Sequence, residues 1–337
     1  MLSFPIGGSC VTLSLTDSYF RKFEYLRLSI TDACNFKCNY CLPNGYKPSS
    51  CEKFLNKDEI SRLVKCFVEL GLWKIRITGG EPTLRHDFEK IIEIISNVNG
   101  VQSVVASTNG FRLAKYAQAF YNAGLRGVNV SIDSLNPEEF YKITGNNELL
   151  NILQGIEKVL QIGYNSVKIN VVLLKGFNEN SLINYLDYVK NRTVSVRFIE
   201  LMQTNENKKY FQKHHINPNF IKKYLLQLGF SEKSRSPGDG PAVIFIHSSF
   251  KGSIGIIAPY SKDFCTTCNR LRVSAHGNLK LCLFGQGGIS LRHLLEDDSQ
   301  KEDLKEFIIN SLKLKQVSHF LNEGDSGDTP HLASIGG

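Results

Sequence analysis

The chain has 337 residues, of which 42% are hydrophobic and 21% charged, so its composition excludes a disordered or fibrous protein. No apolar run reaches the ~18 residues of a membrane-spanning helix, and the first twenty residues show no export or mitochondrial import signal. We therefore expect a cytoplasmic protein. The net charge of +8, without a long Lys/Arg run, favours a small polyanionic ligand over nucleic acid.

After an N-terminal segment, residues 1–22, β-branched runs alternate with amphipathic helical patterns up to residue 229. Strands are predicted at residues 25–31, 73–78, 103–108, 127–132, 167–174 and 194–200. Helices are predicted between them at residues 57–70, 88–98, 113–122, 149–162 and 180–190. Asn56 and Glu59 form a capping pattern at the first helix. This alternation is typical of parallel βα units with right-handed crossovers.

The predicted strands have one apolar and one polar face, whereas a sheet covered on both sides would be apolar throughout. The polar positions are Tyr25, Arg27, Lys74, Arg76, Asn129, Ser131, Lys168, Asn170 and Arg197. Two architectures explain them: a two-layer sheet with its polar face in water, or a barrel-like sheet whose polar lumen holds a ligand. Because burying Arg27 and Arg76 without a partner is prohibitive, the barrel alternative predicts an anionic ligand. In such barrels the site lies at the carboxyl ends of the strands.

From residue 230 to 337 the pattern changes to short strands around a turn-rich loop, residues 234–241, and we expect a smaller segment that carries a metal site. Lone histidines such as His86, His247 and His319 have no ligand-like spacing, so they are interpreted as surface or core groups.

Six of the nine cysteines form two sets, and Cys10, Cys51 and Cys66 stand alone. The first set, Cys34, Cys38 and Cys41, has the spacing C-x3-C-x2-C directly after the first strand. This spacing favours an iron–sulfur cluster with one open iron over structural zinc, which needs paired ligands.

The second set, Cys265, Cys268 and Cys282, has the spacing C-x2-C-x13-C and leaves two alternatives open. It suits an iron–sulfur cluster, or zinc with His276 or His293 as the fourth ligand. Arg270 and Arg272 follow within the set, and on an extended segment they project to one side, which suits a phosphate-bearing ligand.

The run "DACNFKCNYC" around the first set resembles the signature of the radical S-adenosylmethionine (SAM) superfamily, and "ITGGEP" resembles the superfamily's motif for the amino group of SAM. A narrower resemblance is to the GTP 3′,8-cyclase family of molybdenum cofactor biosynthesis. It rests on "KIRITGGEPTLR", "VNVSIDSL", "KINVVLLKGFN", "RFIELM", "FCTTCNRLRVSAHGNLKLCLF" and the terminal Gly336-Gly337, in the family's order along nearly the whole chain.

The resemblance implies an α/β fold, a partial (βα)6 TIM-like barrel, with a C-terminal α+β extension that carries a second iron–sulfur cluster. It implies two [4Fe–4S] clusters, one on each Cys set. Position by position, it implies SAM contacts by Tyr40, Gly80, Ser131 and Met202. The implied GTP contacts are Arg27, Arg76, Thr108, Lys168, Arg270, Leu271 and Arg272. The tail Gly336-Gly337 would reach into the site.

The implied reaction converts GTP to (8S)-3′,8-cyclo-7,8-dihydroguanosine 5′-triphosphate. Reductive cleavage of SAM gives a 5′-deoxyadenosyl radical, which takes hydrogen from C3′ before C3′ attacks guanine C8, and no residue acts as a classical acid or base. The implied partners are an electron donor such as a flavodoxin or ferredoxin and, as the next enzyme, cyclic pyranopterin monophosphate synthase. A homodimer is also compatible.

Two features depart from the family pattern, which usually has Asp at the position of His276 and Met or Arg before the final Gly-Gly. Both departures concern the contacts that the C-terminal tail would make, and not the cluster ligands. Two alternatives stand beside the cyclase: another two-cluster radical SAM enzyme of the peptide-maturing type, and a zinc-structured nucleic-acid-binding protein. The cyclase predicts brown protein with about eight irons, whereas zinc predicts colourless protein.

Overall fold

The computed structural model describes residues 14–48, 53–236 and 238–335. Its strands are β1 (Tyr25–Ser29), β2 (Lys74–Thr78), β3 (Ser103–Thr108), β4 (Gly127–Ser131), β5 (Ser166–Leu173), β6 (Ser195–Glu200), β7 (Ser231–Lys233), β8 (Val243–Ile246), β9 (Ser253–Ile257), β10 (Arg270–Val273), β11 (Asn278–Lys280) and β12 (Ile289–Ser290). Its α-helices are α1 (Lys57–Glu69), α2 (Phe88–Ser96), α3 (Leu113–Asn122), α4 (Pro137–Thr144), α5 (Leu149–Ile162), α6 (Leu182–Lys190), α7 (Lys208–His214), α8 (Asn219–Gln227) and α9 (Lys301–Leu312). No helix within the described ranges is long and apolar enough to cross a membrane.

The predicted alternation of six strands with intervening helices is confirmed from β1 to β6. Helix α1 begins at the predicted cap, where Asn56 Oδ1 accepts hydrogen bonds from the N–H groups of Asp58 and Glu59 at 2.9 Å. Glu59 Oε2 in turn accepts from the Asn56 N–H at 2.7 Å, which completes a capping box. Helix α4, which the sequence analysis did not predict, lies between β4 and α5 and begins at an Asn136 cap.

All strands join one sheet in the order β12-β11-β10-β1-β2-β3-β4-β5-β6-β9-β8-β7. The run from β10 through β1–β6 to β9 is parallel, and the outer strands pair antiparallel. Strands β9 and β10 are therefore built into the barrel sheet on its two sides. They do not pair with each other, so the barrel is incomplete.

The structure decides between the two architectures that the polar strand faces allowed. Side chains from β1, β2, β4, β5, β6 and β10 line one common cavity, so the sheet curves around it. The alternate residues of the same strands, such as Leu26, Ile75 and Ile169, are fully buried in the apolar core against the helices. The polar face is thus the lumen of the barrel, and the alternative with this face in water is wrong.

Candidate active site

The first Cys set lies in the loop after β1, at the carboxyl edge of the parallel strands. The N–H groups of Lys37 and Asn39 donate to the carbonyls of Thr144 and Ile143, both at 2.9 Å, and so fix this loop against α4. Cys34, Cys38 and Cys41 are free thiols, and Cys38 and Cys41 pack in a small apolar cluster with Tyr40.

The thiols of the first set suit an iron–sulfur cluster. Burial raises the pKa of Cys34 to about 11 and of Cys41 to about 12, and it raises the pKa of Cys38 well above its usual value. No cation of the described residues is among the main causes of these shifts, so bound iron would have to supply the charge that makes the thiolates.

The "GGEP" turn after β2 packs directly on the loop of the first Cys set. The Gly80 N–H donates to Thr31 O at 2.9 Å, and the Glu81 N–H donates to Ala33 O at 2.7 Å. A Cβ on Gly80 would lie 2.5 Å from the carbonyl oxygens of Asp32 and Ala33. Glycine at position 80 is therefore required for this close approach between the two loops.

We expect the Gly80→Ala variant to bind SAM about tenfold to hundredfold more weakly, since forcing the extra methyl group between two backbones costs about 1–3 kcal/mol. The measurement is the dissociation constant of SAM for the iron-loaded protein. Gly240→Ala is the matched control, because a Cβ there meets its nearest atom, Arg197 Nη1, at an ordinary 3.8 Å. Equal SAM affinity in the two variants would contradict the expectation.

The SAM-contact residues implied by the resemblance lie at the same carboxyl edge. The Tyr40 hydroxyl donates to Asp133 Oδ2 at 2.8 Å, and the Val172 N–H donates to Asp133 Oδ1 at 2.8 Å. Burial raises the pKa of Asp133 to about 6. Ser131 ends β4 and is exposed, while Met202 follows β6 and lines the cavity. The roles of these residues in SAM binding remain predictions.

Thr108 lies apart from the cavity lining. Its hydroxyl donates to Glu81 Oε1 at 2.8 Å, and Glu81 Oε2 accepts from the Asn109 N–H at 2.6 Å. The Leu271 side chain is fully buried on the apolar face of β10, and its backbone pairs with Leu26 of β1. The structure therefore does not bring these two side chains together with the cavity cations.

The cations of the cavity form rows across neighbouring strands. Arg272, Arg27 and Arg76 occupy matched register positions on β10, β1 and β2, and Arg270, Tyr25 and Lys74 form the adjacent row. Like charges directly opposite each other destabilise a sheet, so these rows favour a bound anion. Lys168 and Arg197 add two basic side chains from β5 and β6, and Asp239 is the one acidic residue in the described lining.

The electrostatic cost of this cavity is visible in its pKa values. Burial, followed by the charges of Arg197, Arg76 and Lys74, lowers the pKa of Lys168 to about 6. Burial and neighbouring cations also lower the pKa of Arg197 and of Arg272 to about 10. For Tyr25, four cations outweigh burial and lower the pKa of the hydroxyl. A bound polyanion would reverse the shifts of the lysine and the arginines.

The second Cys set lines the same cavity as the cations. Burial opposes ionisation of the Cys265 thiol, but hydrogen bonds from His319 and Ser318 outweigh it and lower its pKa to about 6. For Cys268 the charges of Arg270 and Lys315 likewise outweigh burial and lower the pKa. These thiols are therefore prepared to bind iron as thiolates.

The histidines offered as zinc ligands are engaged elsewhere. His276 Nε2 lies 3.1 Å from Asp32 Oδ2, and the His293 ring packs edge-on against Phe307 at 5.7 Å between ring centroids. His319, in contrast, lines the cavity beside Cys265, so its interpretation as a surface or core group missed this position. Lys74, Arg197 and Asn170 were visible on the polar strand faces, whereas Lys315 and His319 had no sequence signal.

The C-terminal segment brings the two Cys sets into one neighbourhood. The Thr329 hydroxyl donates to Leu283 O at 2.5 Å, and the Glu206 N–H donates to Pro330 O at 3.2 Å. Further along, the backbone N–H groups of Ala333 and Leu332 hydrogen-bond the Cys41 thiol. Gly336 and Gly337 lie outside the described residues, as do Cys10 and Cys51. Cys66 is a buried thiol of α1, remote from both sets.

Two family models match the chain: the Radical SAM superfamily over residues 28–189 and Molybdenum Cofactor Synthesis C over residues 194–321. The structure of Streptococcus suis SuiB bound to S-adenosylmethionine aligns with a TM-score of 0.59 at 13% identity, over 86% of this chain and 68% of SuiB, and shows the shared fold. The fold and these matches define a radical SAM protein with a molybdenum-cofactor-synthesis C-terminal region.

Curated relatives narrow the family further. A GTP 3′,8-cyclase of Psychromonas ingrahamii is 52% identical over 335 residues, 99% of each chain. One of Tolumonas auensis is 51% identical over the full length of both chains, and one of Vibrio cholerae is 51% identical over 97% of this chain and 98% of its own. The chain belongs to the GTP 3′,8-cyclase family.

Proposed function

We propose that the chain converts GTP to (8S)-3′,8-cyclo-7,8-dihydroguanosine 5′-triphosphate, the first step of molybdenum cofactor biosynthesis, with SAM and two [4Fe–4S] clusters. The observation that carries this proposal is one buried cavity that combines the second Cys set with rows of Arg and Lys side chains. It suits a ligand that is polyanionic at one end and can coordinate an open iron at the other.

When bound, the first cluster and SAM supply the 5′-deoxyadenosyl radical that removes hydrogen from C3′ of GTP. Cys34, Cys38 and Cys41 would hold that cluster and leave one iron for SAM. The closely packed Gly80 turn would orient SAM over the same loop, beside Tyr40. The protein's contribution is to hold SAM and GTP in fixed relative positions, because the entropic cost of orienting the two reactants is then met on binding and not in the reaction step.

For GTP, the register rows of Arg27, Arg76 and Arg272 would bind the triphosphate, since guanidinium groups match phosphate oxygens in geometry and charge. Lys168 would add a charge from β5. Cys265, Cys268 and Cys282 would hold the second cluster in the same cavity as these cations. Because these side chains are largely buried, bound GTP would displace water from the lumen, which would strengthen each of these contacts and protect a reactive radical.

The decisive experiment is anaerobic incubation of iron-loaded protein with GTP, SAM and dithionite. The expected products are 5′-deoxyadenosine and the 3′,8-cyclised nucleotide, identified by mass spectrometry. Formation of 5′-deoxyadenosine without a cyclised nucleotide would assign a different radical SAM reaction, and absence of both products would refute the proposal.

Further partners follow from this chemistry as parts of the same proposal. A low-potential one-electron donor, such as a flavodoxin or ferredoxin, would reduce the first cluster, and cyclic pyranopterin monophosphate synthase would consume the product. A reducing cytoplasm suits the thiolates of both Cys sets. A homodimer is part of the proposal and is tested by sedimentation of the iron-loaded protein. The division at residues 22 and 229 also remains a prediction.

Binding of GTP should take up protons near neutral pH. Lys168 has a pKa of about 6 in the ligand-free cavity, so its amine is mostly neutral there, and a bound triphosphate raises that pKa. GTP affinity should therefore fall as pH rises above about 6. The number of protons taken up is measured by titration calorimetry of GTP binding in buffers of different ionisation enthalpy. The Lys168→Met variant is the control, and its GTP binding should no longer take up this proton. A binding enthalpy independent of the buffer would contradict this assignment.

A further inference from the structure

A short segment after α9, residues 315–319, lies against the second Cys set. Lys315 is 5% exposed and His319 is 8% exposed, and both side chains line the cavity together with Cys265, Cys268 and Cys282. The fold thus buries two polar side chains beside the second Cys set. Neither belongs to the ligand set or to the strand rows that face the triphosphate.

His319 places an unused N–H donor in the cavity. Its Nδ1 accepts from the Leu321 N–H at 3.4 Å, so the ring proton resides on Nε2. The buried Nε2 has no hydrogen-bond partner in the described residues, and the His319 side chain lines the cavity together with Cys265. Rings of Phe264 and Phe284, at centroid distances of 5.8 and 5.7 Å, hold the imidazole in place.

Lys315 supplies a fixed positive charge. Its Nζ donates to the carbonyl of Leu281, the residue before Cys282, and lies 5.3 Å from the ring centroid of Phe23. The ammonium group interacts electrostatically with the thiols of Cys268 and Cys282. It forms no salt bridge with an acidic residue in the described ranges, so its charge is directed at the Cys set.

The first Cys set has the opposite electrostatic surroundings. Among the described residues, the charged groups outside the Cys set that chiefly act on Cys34 and Cys38 are the carboxylates of Glu81 and Asp133. Reduction adds a negative charge to a cluster. Nearby cations and hydrogen bonds to the sulfurs stabilise that charge, whereas carboxylates oppose it.

We propose that Lys315 and His319 raise the reduction potential of the second cluster, so that this cluster accepts an electron more readily than the first. The inference rests on the second cluster of the proposed function. It assigns to the segment a role in dividing electrons between the two sites: the first cluster keeps the low potential that SAM cleavage requires, and Lys315 and His319 add to the positive surroundings that Arg270 and Arg272 give the second.

The test is a potentiometric titration of the iron-loaded protein, followed by electron paramagnetic resonance. Addition of SAM identifies the signal of the first cluster, and addition of GTP identifies that of the second. We expect His319→Leu and Lys315→Met each to lower the reduced-to-oxidised ratio of the second cluster about tenfold at a fixed potential, which is a fall of about 59 mV. His319→Gln keeps an N–H donor and Lys315→Arg keeps the charge, so both should stay close to the unmodified protein.

An unchanged midpoint of the second cluster in both His319→Leu and Lys315→Met would overturn the inference, and so would an equal shift of the two clusters. These outcomes are distinct from failure of the proposed function. A protein that binds only about four irons and shows no GTP-sensitive signal would lack the second cluster itself.

Discussion

We expect the Cys38→Ala variant to lose 5′-deoxyadenosine formation and to retain about four irons, those of the second cluster. Cys38 lies between the other two cysteines of its set in sequence and packs, half-buried, against the cluster of Tyr40, Ile143 and Leu201. The first cluster would be held by three Cys ligands, and its fourth position is taken by SAM. The apolar side chains around Cys38 offer no ligand that could take the place of its thiolate. The measurements are iron content, visible absorption and chromatographic detection of 5′-deoxyadenosine.

Cys268→Ala is the reciprocal control. It should also retain about four irons, but these belong to the first cluster, so SAM cleavage continues slowly while the cyclised nucleotide is absent. Cys66→Ala, at a buried thiol of α1, should keep both clusters. If Cys38→Ala still cleaved SAM, the assignment of the first Cys set would be wrong. If Cys268→Ala lost both clusters, the two sites would not be independent.

The second large effect is expected for GTP binding when Arg270 and Arg272 are both replaced by alanine. Each guanidinium lies in a strand row opposite a residue of β1, and a hydrogen bond to a charged group contributes about 1.5–3 kcal/mol. The double variant should therefore bind GTP at least about a hundredfold more weakly. SAM cleavage, which depends on the other Cys set, should remain detectable.

Arg192→Ala is the matched control, because Arg192 pairs with Glu157 at 2.6 Å near the surface, away from the cavity. The free energy of unfolding without GTP should not fall in the double variant, since removing two cations relieves repulsion with Arg27. Iron content must be measured in parallel, because both arginines adjoin the second Cys set. GTP affinity equal to that of Arg192→Ala would remove the assigned role.

The polar and apolar faces of the strands could be predicted because their information is local and periodic, whereas the choice of a barrel over a two-layer sheet came from the family resemblance. The two-residue period of a β-strand places Arg27, Arg76 and Lys168 on the same face of the sheet, and this face lines the lumen in the structure. The positions of β9 and β10 could not be predicted, since short apolar runs do not specify a distant parallel partner. Their pairing depends on tertiary packing of the whole sheet.

The same distinction holds for the site. Both Cys sets follow from spacing, because the ligands of each set are near one another in sequence. Lys315 and His319 reach the second set only because α9 packs where it does, so no spacing reveals them. The GTP contact of Thr108 stays a prediction, and the hydrogen bond that its hydroxyl donates to the buried Glu81 carboxylate had no sequence signal.

The insertion of β10 beside β1 has a consequence for biosynthesis. The first strand of the barrel gains one of its two neighbours only after almost the whole chain has left the ribosome. Contacts so distant in sequence make a high contact order, which slows the last stage of folding. Until β10 arrives, β1 is an open sheet edge, and the loop with Cys34, Cys38 and Cys41 lies at the end of that edge. We therefore expect the first Cys set to remain at an open edge of the sheet until this late pairing forms.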